Sequence, residues 1–323
     1  MNKYSKNLAK IISFANDIID LKIPKKPDNL YGPIIHMASK KGKQVRGVLA
    51  LLSYDAFSGD IQELKELVLA IETLHNFTLI HDDVMDNAMI RRGTDTINKK
   101  WSSNQAILSG DVLMMYAYHH ILSSKLIERS VLKQFTNTAI SICEGQQLDC
   151  DFQTMKNVSM DEYFKMIQGK TSALIEFSLT APAAIANTGH GNLNLMKCIG
   201  DCLGKLFQIQ DDYLDLYGNQ SMIGKVIGGD IYEKKKTFLY ISAFRRLPLS
   251  KQKLLEEIYQ SDSKEKLGKI KAIYDSVDVK NYVNQYIQTL NQELVDLINQ
   301  LDIKEQKKIT LLEFLELLLY RNS

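Results

Sequence analysis

The chain holds 323 residues, enough for two domains of roughly 150 residues or for one large helical one. Hydrophobic residues (45%) can fill a sizeable core, and 40 Lys+Arg against 38 Asp+Glu leave a net charge of +2, so any basic site must be local rather than a general attraction to nucleic acid or anionic lipid. Five prolines, with none between Pro33 and Pro182, exclude an all-β fold, and the composition as a whole excludes collagen-like and disordered chains.

Along the chain, Leu8, Ile11, Ile12, Phe14, Ala15, Ile18 and Ile19 give residues 1–22 the period of an amphipathic helix. A proline-bearing connector, Ile23 to Pro33, follows. Helical periodicity then predicts helices near 34–40, 43–57, 61–88, 104–122, 128–149, 160–186, 192–218, 230–246, 250–259, 263–274, 278–300 and 304–320. Breaks fall at Ser58-Gly59, Arg92-Gly93, Asn187-Thr188-Gly189 and Gly218-Asn219, and no strand hairpin is legible. The expectation is a single all-α domain over 1–323, with the lysine-rich C-terminal third as outer helices. Four cysteines do not make a disulfide scaffold; Cys198 and Cys202, one turn apart, read as small core residues rather than metal ligands. No apolar run reaches the roughly 20 residues of a membrane span, and the charged N-terminus lacks a signal-peptide core, so a cytoplasmic protein without stable membrane insertion is expected.

Two aspartate-rich pentads stand out: Asp82-Asp83-Val84-Met85-Asp86 and Asp211-Asp212-Tyr213-Leu214-Asp215. In each, the first and last carboxylates are four residues apart and share a helical face, where like charges repel unless solvated or bridged by a cation. One such pentad is an ordinary helix end. Two, both following apolar helices, point to metal, and all-oxygen donors suit Mg²⁺ or Mn²⁺ held jointly by carboxylates, water and substrate phosphates. Two acidic helices facing each other across a cavity are therefore expected. Cations for phosphate oxygens occur at Lys43 and Arg46, Arg91 and Arg92, Lys170, Lys225 and Lys235. They exceed what one diphosphate needs, which suggests two anionic substrates, one held by metal and one directly. His75 lies two turns before Asp82, and alone reads as a core histidine; His81 abuts the carboxylates and stays unassigned.

The segments GKQVRG, HNFTLIHDDVMDNAMIRRG, GKT, FQIQDDYLDLYGN and GKVIGGDIYEKKKT together resemble the trans-isoprenyl diphosphate synthases, a family of polyprenyl synthetases, over nearly the whole chain. The resemblance implies the isoprenoid synthase fold, a bundle of long antiparallel helices around a central cavity, and the short-chain geranylgeranyl/farnesyl type. It implies about three Mg²⁺ ions, with Asp82, Asp86 and Asp211 as ligands and Asp83, Asp212 and Asp215 in support. Arg91, Lys170, Lys225 and Lys235 would hold the allylic diphosphate (dimethylallyl, geranyl or farnesyl). Lys43, Arg46, His75 and Arg92 would hold isopentenyl diphosphate, Thr171, Phe207 and Gln208 would line the reacting carbons, and Lys170 would count with these three as catalytic. Ionisation, condensation and proton loss to the departing diphosphate would follow, in a homodimer. Two departures are Lys41-Gly42-Lys43…Arg46-Gly47 at the first cationic motif and Glu233-Lys234-Lys235 at the last, where the role of Lys234 stays open. Phe77, five residues before Asp82 and followed by the smaller Thr78, would form a partial floor giving a C20 product with C15 next; Met114, Met115 or Tyr118 are the alternative depth setters. A class I terpene cyclase and a non-catalytic subunit of a heteromeric synthase are the rival readings; the first leaves Lys43, Arg46 and Arg92 without a purpose, and the second fits poorly with six retained aspartates.

Overall fold

Leu8, Ile11, Ala15 and Ile18 recur at three- and four-residue spacing and are the buried side of the first helix, α1 (Lys6–Ile18). In this computed structural model residues 5–18, 23–39, 42–57, 59–218, 227–263 and 265–319 are described. They are helical apart from short connections and one two-residue ladder, so the all-α expectation holds. The remaining helices are α2 (Asp28–Ala38), α3 (Val45–Ala56), α4 (Lys65–Met85), α5 (Ile97–Lys100), α6 (Ser103–Ser123), α7 (Arg129–Thr154), α8 (Met160–Ile167), α9 (Ala173–Ile185), α10 (His190–Tyr217), α11 (Gly229–Tyr232), α12 (Phe238–Arg246), α13 (Leu249–Gln260), α14 (Lys266–Ser276), α15 (Val279–Asn299) and α16 (Glu305–Leu319).

Several boundaries differ from the sequence expectation, each for a local reason. Helix α2 starts at Asp28, where the Leu30 and Tyr31 N–H groups donate to the Pro27 carbonyl, and the Pro33 ring is buried inside it rather than opening it. Helix α3 begins at Val45, because Gln44 takes φ of 49°, so Lys43 precedes the helix and does not share a helical face with Arg46. The stretch 160–186 is interrupted by a π turn at Gln168–Ser172, and 230–246 divides into α11 and α12. A strand hairpin does exist: β1 (Ile90–Arg91) pairs antiparallel with β2 (Thr94–Asp95). Arg92 (φ 52°) and Gly93 (φ 72°) between them both take positive φ, the requirement of a type I′ two-residue turn.

The contacts group into two units, and helices α7, α9, α10 and α15 contribute residues to both. The first comprises Met1–Ala139, Leu174–Gly200 and Val295–Ser323. Its centre is α4, buried on nearly every side from Leu67 to Leu74, as expected of a helix apolar all round. It packs along α6, whose Gly110 leaves just the space that the His81 ring occupies. The loop after α4 is tied down by Thr96 Oγ1 and Asn98 Nδ2, both donating to the Ala88 carbonyl (2.6 and 3.1 Å).

The second unit comprises Ile140–Ala173 and Asp201–Leu294. A capping box at Ser159 and Glu162 opens α8. Tyr163, Phe164, Phe238, Tyr282 and Tyr286 form an aromatic core with ring centroids 4.9 to 6.4 Å apart. The π turn lies close against α7: a Cβ on Gly145 would stand 2.2 Å from the Lys170 backbone nitrogen, and one on Gly169 would stand 2.8 Å from the Ser141 carbonyl oxygen. Within the lysine-rich C-terminal third, Lys236 and Lys266 are 4% and 1% exposed and lie over Tyr240 and Tyr259. Of the cysteine pair, Cys202 is core and Cys198 is exposed.

Candidate active site

Helix α4 carries His75 at its midpoint, Phe77 two residues on, and Asp82 and Asp83 in its last turn, and the Asp86 N–H still donates to the Asp82 carbonyl (2.8 Å), preserving the one-turn spacing of the outer aspartates. The middle aspartate behaves differently. Asp83 is 6% exposed, and Arg91 Nε donates to its Oδ1 at 2.7 Å. Burial pushes the Asp83 carboxyl up and the Arg91 guanidinium pulls it back.

On the same unit, Arg46 Nη1 donates to His75 Nε2 (3.1 Å), which leaves the imidazole neutral with its proton on Nδ1. Burial, reinforced by Arg46, Arg92 and Arg91, holds the His75 pKa well below its usual value. Glu72, missed by the sequence reading, accepts the Gly47 N–H at 2.7 Å, and burial raises its pKa against the pull of that bond and of Arg46 and Arg92. Arg92 reaches back so that a Cβ on Gly42 would meet its Nη2 at 2.5 Å. Arg46, His75 and Arg92 therefore form one cluster, with Lys43 exposed beside it. Within the cluster Arg46 Nε is buried and has no acceptor among the described residues. A shallow recess lies alongside, lined by His36, Ile80, Asp83, Arg91, Arg92 and Asp95 among others.

Phe77 is buried with its ring 4.7 Å from that of His81, and Thr78 Oγ1 donates to the His75 carbonyl (2.8 Å). His81 turns its Nε2 toward the Ile107 carbonyl (3.2 Å) and Asp111 (3.7 Å), fastening α4 to α6. Tyr118 stacks edge-on against Phe135, Met114 is half-buried and Met115 is exposed.

In the second unit, Lys170 and Thr171 lie in the π turn instead of a continuous helix. Lys170 Nζ donates to Asp149 Oδ2 at 2.6 Å, and Thr171 Oγ1 donates to Gln208 Oε1 at 2.8 Å. Helix α10 presents Phe207 and Gln208 half-buried, then Asp211 exposed, Asp212 4% exposed and Asp215 half-buried. Asp212 Oδ1 accepts from Gln208 Nε2 (3.0 Å), and its Oδ2 accepts from Tyr163 Oη (2.6 Å) and the Phe238 N–H (2.8 Å). Burial lifts its pKa to about 6 against these donors. Asp215 Oδ2 accepts the Asp230 N–H (3.2 Å), and burial, with the Asp215 charge, raises the Asp230 carboxyl. Lys235 Nζ pairs with Glu233 (2.8 Å), and Lys234 with Asp262 (3.3 Å). Lys225 lies outside the described residues.

The sequence-derived residues thus assemble by unit: Lys43, Arg46, His75, Phe77, Thr78, Asp82, Asp83, Asp86, Arg91 and Arg92 in the first, and Lys170, Thr171, Phe207, Gln208, Asp211, Asp212, Asp215 and Lys235 in the second. Glu72, Asp149 and Tyr163 were missed, being single residues inside otherwise ordinary helices, and Asp230 stood in the GKVIGGDIYEKKKT segment without a role assigned to it. Among the described residues no three His, Cys, Asp or Glu side chains converge as a metal cage, and none of their helices is long and apolar enough to cross a membrane. The donor set still fits a hard divalent ion, since Mg²⁺ is held by one or two carboxylates with water and phosphate oxygens rather than by an all-protein cage.

Comparison with known proteins gives the same direction. The polyprenyl synthetase profile matches residues 27–277. The chain is 38% identical over 235 residues to the short chain isoprenyl diphosphate synthase of Methanocaldococcus jannaschii, covering 72% of each chain. It is 33% identical over 316 residues to the geranylgeranyl diphosphate synthase of Sulfolobus acidocaldarius, covering 94% of each. The crystal structure of geranylgeranyl pyrophosphate synthetase from Pyrococcus horikoshii matches with a TM-score of 0.88 at 29% identity, over 98% of both chains. Acid pentads, cation cluster and relatives agree: the chain belongs to the polyprenyl synthetase family, as a prenyltransferase of the isoprenyl diphosphate synthase type.

Proposed function

We propose that the chain condenses isopentenyl diphosphate with an allylic diphosphate (dimethylallyl, geranyl or farnesyl) and releases mainly the C20 geranylgeranyl diphosphate, with the C15 product next. The observation that carries this reading is the buried Arg46 Nε, short of an acceptor in a cluster that holds Arg92, the uncharged His75 and the buried carboxyl of Glu72, whose pKa burial raises. A buried guanidinium in that setting gains strongly from an anion. The cluster lies on α3 and the His75 turn of α4, seven residues from Asp82, or about 10 Å along the helix. A substrate anion bound directly by Arg46, Arg92 and Lys43 is thereby separate from one bound through Asp82 and Asp86, which is the two-substrate requirement of chain elongation.

Asp82, Asp86 and Asp211 would hold divalent ions, Mg²⁺ by donor type, about three in all. When bound, these ions supply positive charge to the allylic diphosphate as its C–O bond breaks. The chain's own cations add to that charge, with Arg91 aimed by Asp83, Lys170 by Asp149 and Lys235 by Glu233, and with Lys225 beside them in the sequence motif. The bonding pair leaves with the diphosphate, the isopentenyl double bond attacks the allylic carbon, and the proton lost from the new unit goes to the diphosphate, so no side-chain base is required. The Thr171 and Gln208 oxygens face the developing positive charge, and the Phe207 ring shields it from water. Phe77 would limit the growing tail. A homodimer in the cytoplasm is part of the proposal, supported by Leu108, Met115 and Leu122, exposed at seven-residue spacing on α6.

The test is to incubate the purified chain with isopentenyl diphosphate, each allylic diphosphate in turn and Mg²⁺, and to identify products by mass spectrometry. A C20 diphosphate that disappears with excess chelator is expected. A hydrocarbon formed from farnesyl diphosphate alone, or turnover undiminished by chelator, would overturn the reading.

A further inference from the structure

Asp212 occupies the middle of an acidic motif, yet its surroundings are those of an anchor. Both oxygens are occupied: Oδ1 by Gln208, Oδ2 by Tyr163 and the Phe238 backbone. Two of the three donors lie on other elements, Tyr163 on α8 and Phe238 at the start of α12, so the carboxylate fixes how α10 is turned about its own axis. At about 100° per residue, Asp211 lies about 100° to one side of Asp212 and Asp215 about 60° to that same side. Pinning Asp212 inward therefore aims the other two together, and Asp211 is indeed exposed.

The same anchor has a second effect. A carboxylate that accepts at both oxygens requires Gln208 to turn its Nε2 toward Asp212, which turns Oε1 toward Thr171. Thr171 then spends its hydroxyl proton on Gln208, and its oxygen can offer only lone pairs to whatever lies beyond. Near a carbon developing positive charge that polarity stabilises, whereas the reverse would repel.

We infer that Tyr163 is a positioning residue for the prenyl transfer. From α8 its phenol holds Asp212, and through Asp212 it sets both the aim of Asp211 and Asp215 and the direction of the Thr171 hydroxyl. This rests on the proposal that those groups serve the allylic diphosphate. Tyr163 is 1% exposed, and its ring is held by Phe164 and Phe238 whether or not the hydroxyl is present.

Tyr163→Phe removes one oxygen and keeps that ring. Tyr274→Phe, equally buried in the same unit but hydrogen-bonded to Tyr259 rather than to Asp212, is the control. For Tyr163→Phe, kcat is expected to fall about 10- to 100-fold with the KM for isopentenyl diphosphate changed by no more than about twofold. Calorimetric affinity for inorganic diphosphate with Mg²⁺ is expected to weaken by about fivefold or more, and Thr171→Val is expected to cost less in the Tyr163→Phe background than in wild type. The inference is overturned if Tyr163→Phe keeps kcat and diphosphate affinity within about twofold of wild type while losing only the thermal stability that Tyr274→Phe loses. An inactive wild-type chain would strike at the synthase reading alone, and the diphosphate affinity of Tyr163→Phe would still decide the role of this tyrosine.

Discussion

The close approach of the π turn to α7 makes Gly145→Ala a severe perturbation of a small kind. The added Cβ would stand 2.2 Å from the Lys170 nitrogen and 2.7 Å from the Gly169 carbonyl carbon, both backbone atoms that cannot swing aside. Ordinary contact needs about 3.5 Å, so the turn must retreat by more than about 1 Å. Overpacking of that kind costs about 1–3 kcal/mol of stability. The functional cost is larger, because Lys170 and Thr171 travel with the turn, and a misplacement of about 1 Å in a reacting group costs about 100-fold in rate. Gly268→Ala, with nothing within 4 Å of its Cβ, is the inert comparison in the same unit. Steady-state kinetics with isopentenyl and farnesyl diphosphates, beside calorimetric melting, read both effects. If Gly145→Ala keeps kcat within about threefold of wild type, the turn does not set the position of Lys170 and Thr171, and close packing is not what places them.

Three further outcomes are expected. Arg46→Met removes the buried donor and should raise the KM for isopentenyl diphosphate by about 10- to 100-fold with little change in kcat, from a charged hydrogen bond worth about 1.5–3 kcal/mol; a KM that does not move would place that anion elsewhere. Phe77→Ala should lengthen the product beyond C20 at a stability cost of about 3 kcal/mol, and an unchanged product by mass spectrometry would remove Phe77 from length control. Burial lowers the Lys236 pKa to about 8, so between about pH 8 and 10.5 the unfolded chain binds more protons and native stability rises with pH. Lys236→Met should flatten that rise and stabilise the protein at pH 7 by about 1–2 kcal/mol, the charge penalty of about 3 kcal/mol less the lost contact with Tyr240; parallel melting curves for the two proteins across that range would refute it.

What the sequence disclosed was what repeats or alternates. The helical period exposed α1, α4, α6 and α10 to within a few residues, and the four-residue spacing of Asp82 with Asp86, and of Asp211 with Asp215, marked the acidic motifs before any fold was known. The cations of the Arg46 cluster were legible because they exceed what one diphosphate needs and stand in the GKQVRG and RRG segments. Tyr163 was not: a tyrosine on an amphipathic helix has no local mark that its hydroxyl meets a carboxylate 49 residues away. Asp149 was hidden likewise, inside an unbroken helical pattern, 21 residues from Lys170. The π turn left no trace because it goes with a close approach between Gly169 and Gly145, 24 residues apart, which no local pattern announces. Lys43 was misjudged because one residue of positive φ at Gln44 delays the helix.

The tiny ladder at Ile90–Asp95 works as a ruler. Its reversal sends two neighbouring guanidinium groups in different directions, Arg91 to Asp83 and Arg92 toward Gly42. Which arginine faces which destination depends on counting residues from the end of α4. Inserting one position between Asp86 and Arg91 would put Arg91 in the place of Arg92 and Ile90 opposite Asp83, and deleting one would put Arg92 opposite Asp83 and Gly93 in its former place, with the composition of the loop almost intact. Homologues that vary this spacer should therefore do so in compensated steps, and its length constrains the chemistry as strongly as the two arginines it delivers.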